Sequence, residues 1–251
     1  MRKLTAIIPT KDEIVNIEAV IASVDFADEI LVIDSFSKDG TFETACTLAT
    51  KVIQRTFDGY GAQKNHAILN ASHEWILLVD ADERVTPELK SEIISTLNLA
   101  KIKHNAFSIK RINHFMGQRV HYSGWRNDSV IRLFKKGVSK YDNRHVHEAL
   151  KVEGTVGKLT HKLLHYSYKS FDEYMQKMNS YASLQAKDYD KKTGRLTPYH
   201  FIIKPFWGFI KHYIVQSGFR DGVVGLTIGY VQGYVVFMRY IKVWLLRKNR
   251  N

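Results

Sequence analysis

Over the first hundred residues, short unbroken apolar runs alternate with longer stretches whose apolar positions recur every three or four residues. The runs are residues 4–9 (LTAIIP), 29–34 (EILVID) and 75–79 (WILLV). A continuous run of this length suits a strand buried on both faces of a sheet. Between the runs, Ile17, Val20, Ile21 and Val24 share one helical face, and so do Phe42, Ala45, Cys46 and Ala49. A shorter strand, KVIQRT, leads through Gly59 and Gly61 into a helix carrying Gln63, Lys64 and Asn65. After the WILLV run, Thr86 stands as N-cap and Pro87 at the first helical position of a helix with Leu89, Ile93, Ile94 and Leu97 inward. Strand–helix alternation at this pitch predicts right-handed crossovers and a mostly parallel α/β sheet flanked by helices. Ligands bind such sheets outside the carboxyl ends of the strands. Thr10, Asp34 and Asp80 all fall on that edge.

From Ser170 the pattern becomes helical throughout. Ser170-Phe-Asp-Glu173 is a capping box, opening a helix with Tyr174, Met178 and Tyr181 on one side. After a polar loop (KKTGRLTP), residues 199–216 carry Phe201, Ile202, Phe206, Phe209, Ile210, Tyr213 and Ile214. The last helix has 17 uncharged residues, Gly222 to Met238, followed by a basic end. That run, interrupted by Gln232, is at the short limit for a membrane span. Gly225, Gly229 and Gly233 lie at the spacing that lets another helix approach closely, which also raises a homo-oligomer through the C-terminal helices.

Charge sharpens the division. Residues 1–168 hold 23 Lys and Arg against 20 Asp and Glu, whereas residues 169–251 hold 14 against 5. The expected layout is a globular domain over 1–168, with halves of about 1–100 and 101–168, followed by a basic, aromatic helical region over 169–251. The basic region reads as an amphipathic platform at an anionic membrane surface. A basic nucleic-acid-binding module is the non-enzyme alternative, but the aromatics follow helical apolar stripes and not an exposed stacking surface. No nucleic-acid partner is expected. The single cysteine, Cys46, excludes internal disulfides and multi-cysteine zinc sites, and its stripe predicts a core position. A reducing cytoplasm follows, since the N-terminal apolar run is too short for a secretory signal.

The candidate chemistry centres on Asp80-Ala81-Asp82. A buried strand cannot bury two carboxylates, so both are expected where it emerges, facing one ligand. Two neighbouring acids need a positive partner, and a hard divalent cation supplies one. Neither a Gly-X-Gly-X-X-Gly fingerprint nor a phosphate-binding Gly-X-X-X-X-Gly-Lys loop is present, so phosphates must be met by metal and scattered basic groups. Further on, NRHVHE (143–148) clusters His145, His147 and Glu148, and Trp125 in GWRND is either a sugar-stacking ring or a packing one.

IIPTKDE, VIDSFSKDGT, QKN and LLVDADE, in this order over the first 85 residues, resemble the nucleotide-sugar half of a family 2 glycosyltransferase, whose fold is GT-A (Rossmann-like). GWRNDSVIRLF, NRHVHE, LLHYSY and the helical end resemble its bacterial lipopolysaccharide-core β-glucosyltransferases. The resemblance implies that Pro9, Thr10 and Glu13 border the nucleoside, Asp34 the base or ribose, and Lys64 the diphosphate. It gives Asp80 and Asp82 to Mn²⁺ or Mg²⁺, with Asp82 the direct ligand and His165 a third. Glu148 matches the region bearing the catalytic base, and Asp128 is the second candidate. The simpler alternative pairs Glu148 with Arg144 or Arg132 at the surface. The implied reaction is inverting, metal-dependent transfer of a hexose, from UDP-glucose, to a lipid-linked glycan such as the lipopolysaccharide inner core. The implied place is the inner face of the cytoplasmic membrane. A transferase acting on a polyprenyl phosphate is the competing enzyme.

Overall fold

The computed structural model describes residues 2–142, 149–168 and 170–248. Strands β1 (Leu4–Thr10), β2 (Glu29–Asp34), β3 (Lys51–Gln54) and β4 (Trp75–Leu78) lie in the order β3-β2-β1-β4, all parallel. Their side chains divide cleanly between two cores, as the twofold alternation of a strand requires. Leu4, Ala6, Ile8, Val32, Trp75 and Leu77 enter one, and Ile7, Leu31, Ile33, Ile76 and Leu78 the other. That double burial is why these strands read as unbroken apolar runs.

Helices α1 (Ile14–Ser23), α2 (Thr41–Leu48), α3 (Tyr60–Asn70) and α4 (Pro87–Asn98) fill the crossovers. Ile17, Val20, Ile21 and Val24 are buried, and the Thr86 hydroxyl accepts from Leu89 N at the start of α4. Cys46 departs from expectation, because its side chain is exposed. The short α2 buries only Thr41 and Ala45, and a residue next to Ala45 is turned about 100° away on a helix.

Past β4 the sheet is mixed, and antiparallel pairs appear in it. β8 (Ser129–Lys135) pairs with β4, and β6 (Ala106–Phe115) with β8. β11 (Val156–Ser167) and β5 (Glu83–Val85) complete that edge. β7 (Gln118–Arg119) pairs with β6, and β9 (Ser139–Tyr141) with β10 (Leu150–Val152) forms a small hairpin.

The chain divides into two compact units. Residues 1–111 and 128–165 form an α/β unit, and residues 112–127 and 166–251 a helical one. The segment from Ile112 to Asn127 thus packs with the C-terminal helices. In the helical unit α5 (Phe171–Lys192) lies along α7 (Gly222–Lys248). Tyr174, Met178 and Ala182 meet Ile228, Val231 and Val235 there. Arg239 donates to Gln185, Lys242 to Asn179 and Ser183, and Arg247 to Asp190, so polar contacts fix the far half of α7 to α5. The Ser170 hydroxyl caps α5 by accepting from Glu173 N.

A helix with wide turns at both ends, Tyr199–Val215 with α6 (Lys204–Ile210) at its centre, crosses α7 at the glycine stripe. A Cβ on Gly229 would stand 3.1 Å from Tyr213 Cβ, and one on Gly233 would stand 2.9 Å from Pro205 O. The close approach predicted for the stripe is therefore made within the chain. That occupies the glycine face otherwise offered to a second copy. The residues from Gly218 to Lys248 are long and apolar enough to cross a membrane by length and composition.

Candidate active site

The carboxyl ends of the parallel strands gather most of the expected residues of the α/β unit. β1 ends at Thr10, whose carbonyl accepts from Ser35 N at 3.0 Å, beyond the end of β2. Asp34 at the tip of β2 is fully buried, and its carboxylate accepts from Ser37 N, Ser37 Oγ and Gln54 Nε2. It orders the loop that follows. Pro9 is half-buried in β1. Glu13 accepts from Asn16 Nδ2 at 2.7 Å, and Asn16 Oδ1 in turn accepts from Arg84 at 2.9 Å. Arg84 also donates to Ala81 O at 2.7 Å, so a polar chain from Glu13 fixes the Asp80–Asp82 turn.

The two acids of that turn take different partners. β4 ends at Leu78 and the chain turns at Ala81-Asp82, so the alternation of an extended strand no longer governs them. Asp80 is ion-paired to Arg132 and lies 3.7 Å from Lys64 Nζ. Asp82 meets His165, Oδ2 to Nε2, at 3.3 Å. Burial alone would raise the Asp80 pKa, but Arg132, then Lys64 and Arg111, overcome it and hold the carboxyl far below the usual range. Lys64 is buried, and its ammonium also stands 5.2 Å from the Tyr141 ring centre.

Behind Asp80 lies a network that the sequence did not disclose. Glu83, fully buried, accepts from Asp80 N at 3.0 Å, Arg132 Nη2 at 2.7 Å and Arg111 Nη1 at 3.2 Å. Arg111 forks onto Asp128, Nε to Oδ2 at 2.9 Å and Nη2 to Oδ1 at 3.0 Å. Desolvation would lower the pKa of Arg132, yet Asp80 and Glu83 together raise it well above its ordinary value. Arg132 is thus a buried ion-pair partner, which corrects its expected surface place beside Glu148. The legible signal was an arginine inside an apolar strand, Val130-Ile131-Arg132-Leu133-Phe134, where burial of a charge demands a partner. Glu148, Arg144, His145 and His147 lie outside the described residues. Trp125, in the helical unit, meets Phe115 edge-on at 6.1 Å and packs on that core, the bland one of its two expected roles.

Among the described residues no three His, Cys, Asp or Glu side chains gather into a protein-only metal cage. The Asp82–His165 pair nevertheless suits a divalent cation. It offers one carboxylate oxygen and one imidazole nitrogen, both partly exposed, at 30% and 17%. Mg²⁺-type sites in enzymes of phosphorylated substrates commonly use one or two protein ligands and take the remainder from phosphates and water.

The profile of glycosyl transferase family 2 matches residues 5–152. The chain belongs to that family. An uncharacterized glycosyltransferase of Rickettsia typhi is 30% identical over 100% of this chain and 90% of its own length. The lipopolysaccharide core biosynthesis glycosyltransferase LpsC of Rhizobium meliloti is 27% identical over 96% of this chain and 92% of its own. Among solved structures, the mannosyltransferase PcManGT from Pyrobaculum calidifontis, in complex with GDP-Man and Mn²⁺, superposes with a TM-score of 0.53 at 14% identity. That match covers 97% of this chain and 87% of the other, and it supports the GT-A fold of this family 2 glycosyltransferase.

Proposed function

We propose that this glycosyltransferase moves a hexose from a nucleotide sugar, UDP-glucose, onto a lipid-linked glycan of the lipopolysaccharide inner core, with inversion, at the inner face of the cytoplasmic membrane. The observation that carries the reading is the Asp82–His165 pair at the carboxyl edge of the sheet, beside an Asp80 already matched by Arg132 and Lys64. Asp82 and His165 are the residues that would hold Mn²⁺ or Mg²⁺. When bound, the ion supplies Lewis-acid stabilisation of the charge that develops on the departing diphosphate.

The protein's own groups do the rest. Pro9, Thr10 and Glu13 border the nucleoside end, Asp34 behind them orders the loop that would meet the base or ribose, and Lys64 adds a fixed positive charge toward the diphosphate. The Glu83–Arg132 cluster keeps Asp80 ionised and in place, so it can accept hydrogen bonds from the ribose without a proton of its own. Asp128, with both oxygens taken by Arg111, orients that arginine and is poorly placed to accept a proton. Glu148, whose place in the sequence matches the family's base-bearing region, receives the proton of the attacking hydroxyl as that oxygen displaces the nucleotide in one step.

The membrane placement rests on the helical unit, which has 16 Lys and Arg against 5 Asp and Glu. Its exposed side chains include Ile202, Phe206, Trp207 and Val215. Helix α7 is bound by polar contacts to the hydrophilic α5, which would have to enter the bilayer with it. A surface-lying arrangement avoids that desolvation cost.

Asp82→Asn removes both a ligand and a charge. Calorimetric titration with UDP and Mn²⁺ should show the metal-dependent part of nucleotide binding lost, and transfer should be abolished. Near-normal turnover of Asp82→Asn without added metal would overturn the metal site.

A further inference from the structure

The helical unit contains an open pocket of about 520 Å³, within the ~300–1,000 Å³ span of small-molecule sites. Phe115, Met116, Phe171, Val224, Leu226 and Val231 form its wall. Gln118 and Thr227 also line it, and the Thr227 hydroxyl already donates to Val223 O at 2.9 Å. A sugar or nucleotide needs several convergent polar groups, which this wall does not provide. A hydrocarbon chain needs none.

What surrounds the pocket decides between occupants. Val223 and Tyr230 at its rim are 79% and 71% exposed and carry the apolar wall outward to the surface. Arg119 follows Gln118 directly and is exposed. Arg220, three residues before Val223 and across the break at Gly222, is exposed and stands over the Tyr122 ring at 4.5 Å. Apolar lining with guanidinium groups beside it is the complement of a lipid with an anionic head and an apolar tail. A partner protein's helix would find the lining but would leave the unit's excess of basic charge unanswered.

We propose that this pocket receives a hydrocarbon chain of an anionic membrane lipid, whose phosphate meets Arg119 and Arg220. The proposal rests on the reading that the helical unit lies on an anionic membrane surface. It adds that one lipid is drawn partly out of the bilayer and held by the protein. Such a lipid would fix the depth and orientation of the unit, which non-specific charge attraction alone does not.

The test uses the full-length protein with vesicles of phosphatidylcholine and phosphatidylglycerol, the latter bearing a diazirine near the end of one acyl chain. After irradiation, mass spectrometry should find the label on peptides spanning 115–118 and 223–231. Thr227→Trp and Gln118→Trp each place an indole in the pocket. Burial in an apolar site changes affinity about fourfold per methylene, so displacing two or more should reduce pocket labelling at least tenfold. Co-sedimentation with the vesicles should persist in both variants. Two variants from different walls are used so that a folding failure in one leaves the other to decide. Label confined to 199–215, or undiminished in the variants, would overturn the pocket while leaving the membrane reading intact. Native protein that does not co-sediment at low salt would overturn the membrane reading, and the pocket proposal with it.

Discussion

In the α/β unit the partly buried Arg111 and the buried Arg132 are met by Glu83, Asp80 and Asp128, each at hydrogen-bonding distance or shorter. In the helical unit, by contrast, cations outnumber anions by 11, and many of them stand exposed beside apolar side chains. A buried charge without a partner is destabilising by several kcal/mol, so the α/β unit cannot carry an excess in its interior. Surface charge in water costs little, so the helical unit can. The two units therefore use arginine and lysine for different ends. Neutralising a matched charge should damage the fold, whereas neutralising an unmatched one should damage binding alone.

The acceptor region tests the first half of that contrast most sharply. Asp128 is a matched charge, and Glu148 is the proposed base. Glu148→Gln keeps the shape but cannot take a proton, so turnover should fall about 10²–10⁴-fold while UDP binding is unchanged. Asp128→Asn should instead lower the denaturation midpoint and affect turnover less. A large turnover loss in Asp128→Asn alone, with the midpoint unmoved, would transfer the base role to Asp128. If neither variant loses turnover but a polyprenyl phosphate is glycosylated, the acceptor is a phosphate that needs no base.

Arg132→Met comes next in size. It leaves Glu83 buried and Asp80 without its closest cation, and should cost about 3–5 kcal/mol in urea unfolding. Removing Glu83 as well, in Arg132→Met/Glu83→Gln, should recover part of that loss. The pH dependence has a definite sign. Asp80 has a depressed pKa, so its contribution is complete above the ordinary carboxylate value near ~4 and fades as pH falls below it. In Arg132→Met the depression is weaker, and the acid-unfolding midpoint should move to higher pH. An unchanged acid midpoint would show that Arg132 does not govern the ionisation of Asp80.

The parallel strands, their helices and both caps were legible because each follows from a local rule: double burial, a 3.6-residue period, a hydroxyl before a helix. His165 was set beside Asp82 by the resemblance, but the pairing of Asp80 with Arg132 was not legible, and the turn at Ala81-Asp82 is set by Arg84 reaching to Asn16, 68 residues away in sequence. The Glu83–Arg132–Arg111–Asp128 network was hidden for a related reason. Its members come from β5, β6, β8 and the approach to β8, and only the strand order past β4 brings them together. Cys46 was misread because a stripe of four small or apolar residues on a two-turn helix leaves too little surface to bury them all.

For the unmatched charges the expected effect is smaller and additive. Lys211→Gln and Arg119→Gln lie at exposed positions of the helical unit. Each should weaken binding to anionic vesicles by about 1 kcal/mol, roughly fivefold, with the loss vanishing at high salt. Thermal midpoints should stay within the scatter of the native protein. A fall in midpoint comparable to that of Arg132→Met would erase the distinction between the units.

The smallest effect serves as a control, because it should be the same on both sides. Thr86 and Ser170 each use a hydroxyl to accept the N–H three residues on, at 3.2 Å in the α/β unit and 3.1 Å in the helical unit. Neither bond involves a charged group, so the excess of basic charge in one unit should not alter its worth. Thr86→Ala and Ser170→Ala should each cost about 1 kcal/mol of stability. Equal losses, read by urea unfolding, would show that the units differ in how they place charge and not in how firmly their helices begin. A Ser170→Ala loss that disappears on anionic vesicles while the Thr86→Ala loss remains would mean that the membrane itself helps to hold α5. The contrast would then extend from charge to folding.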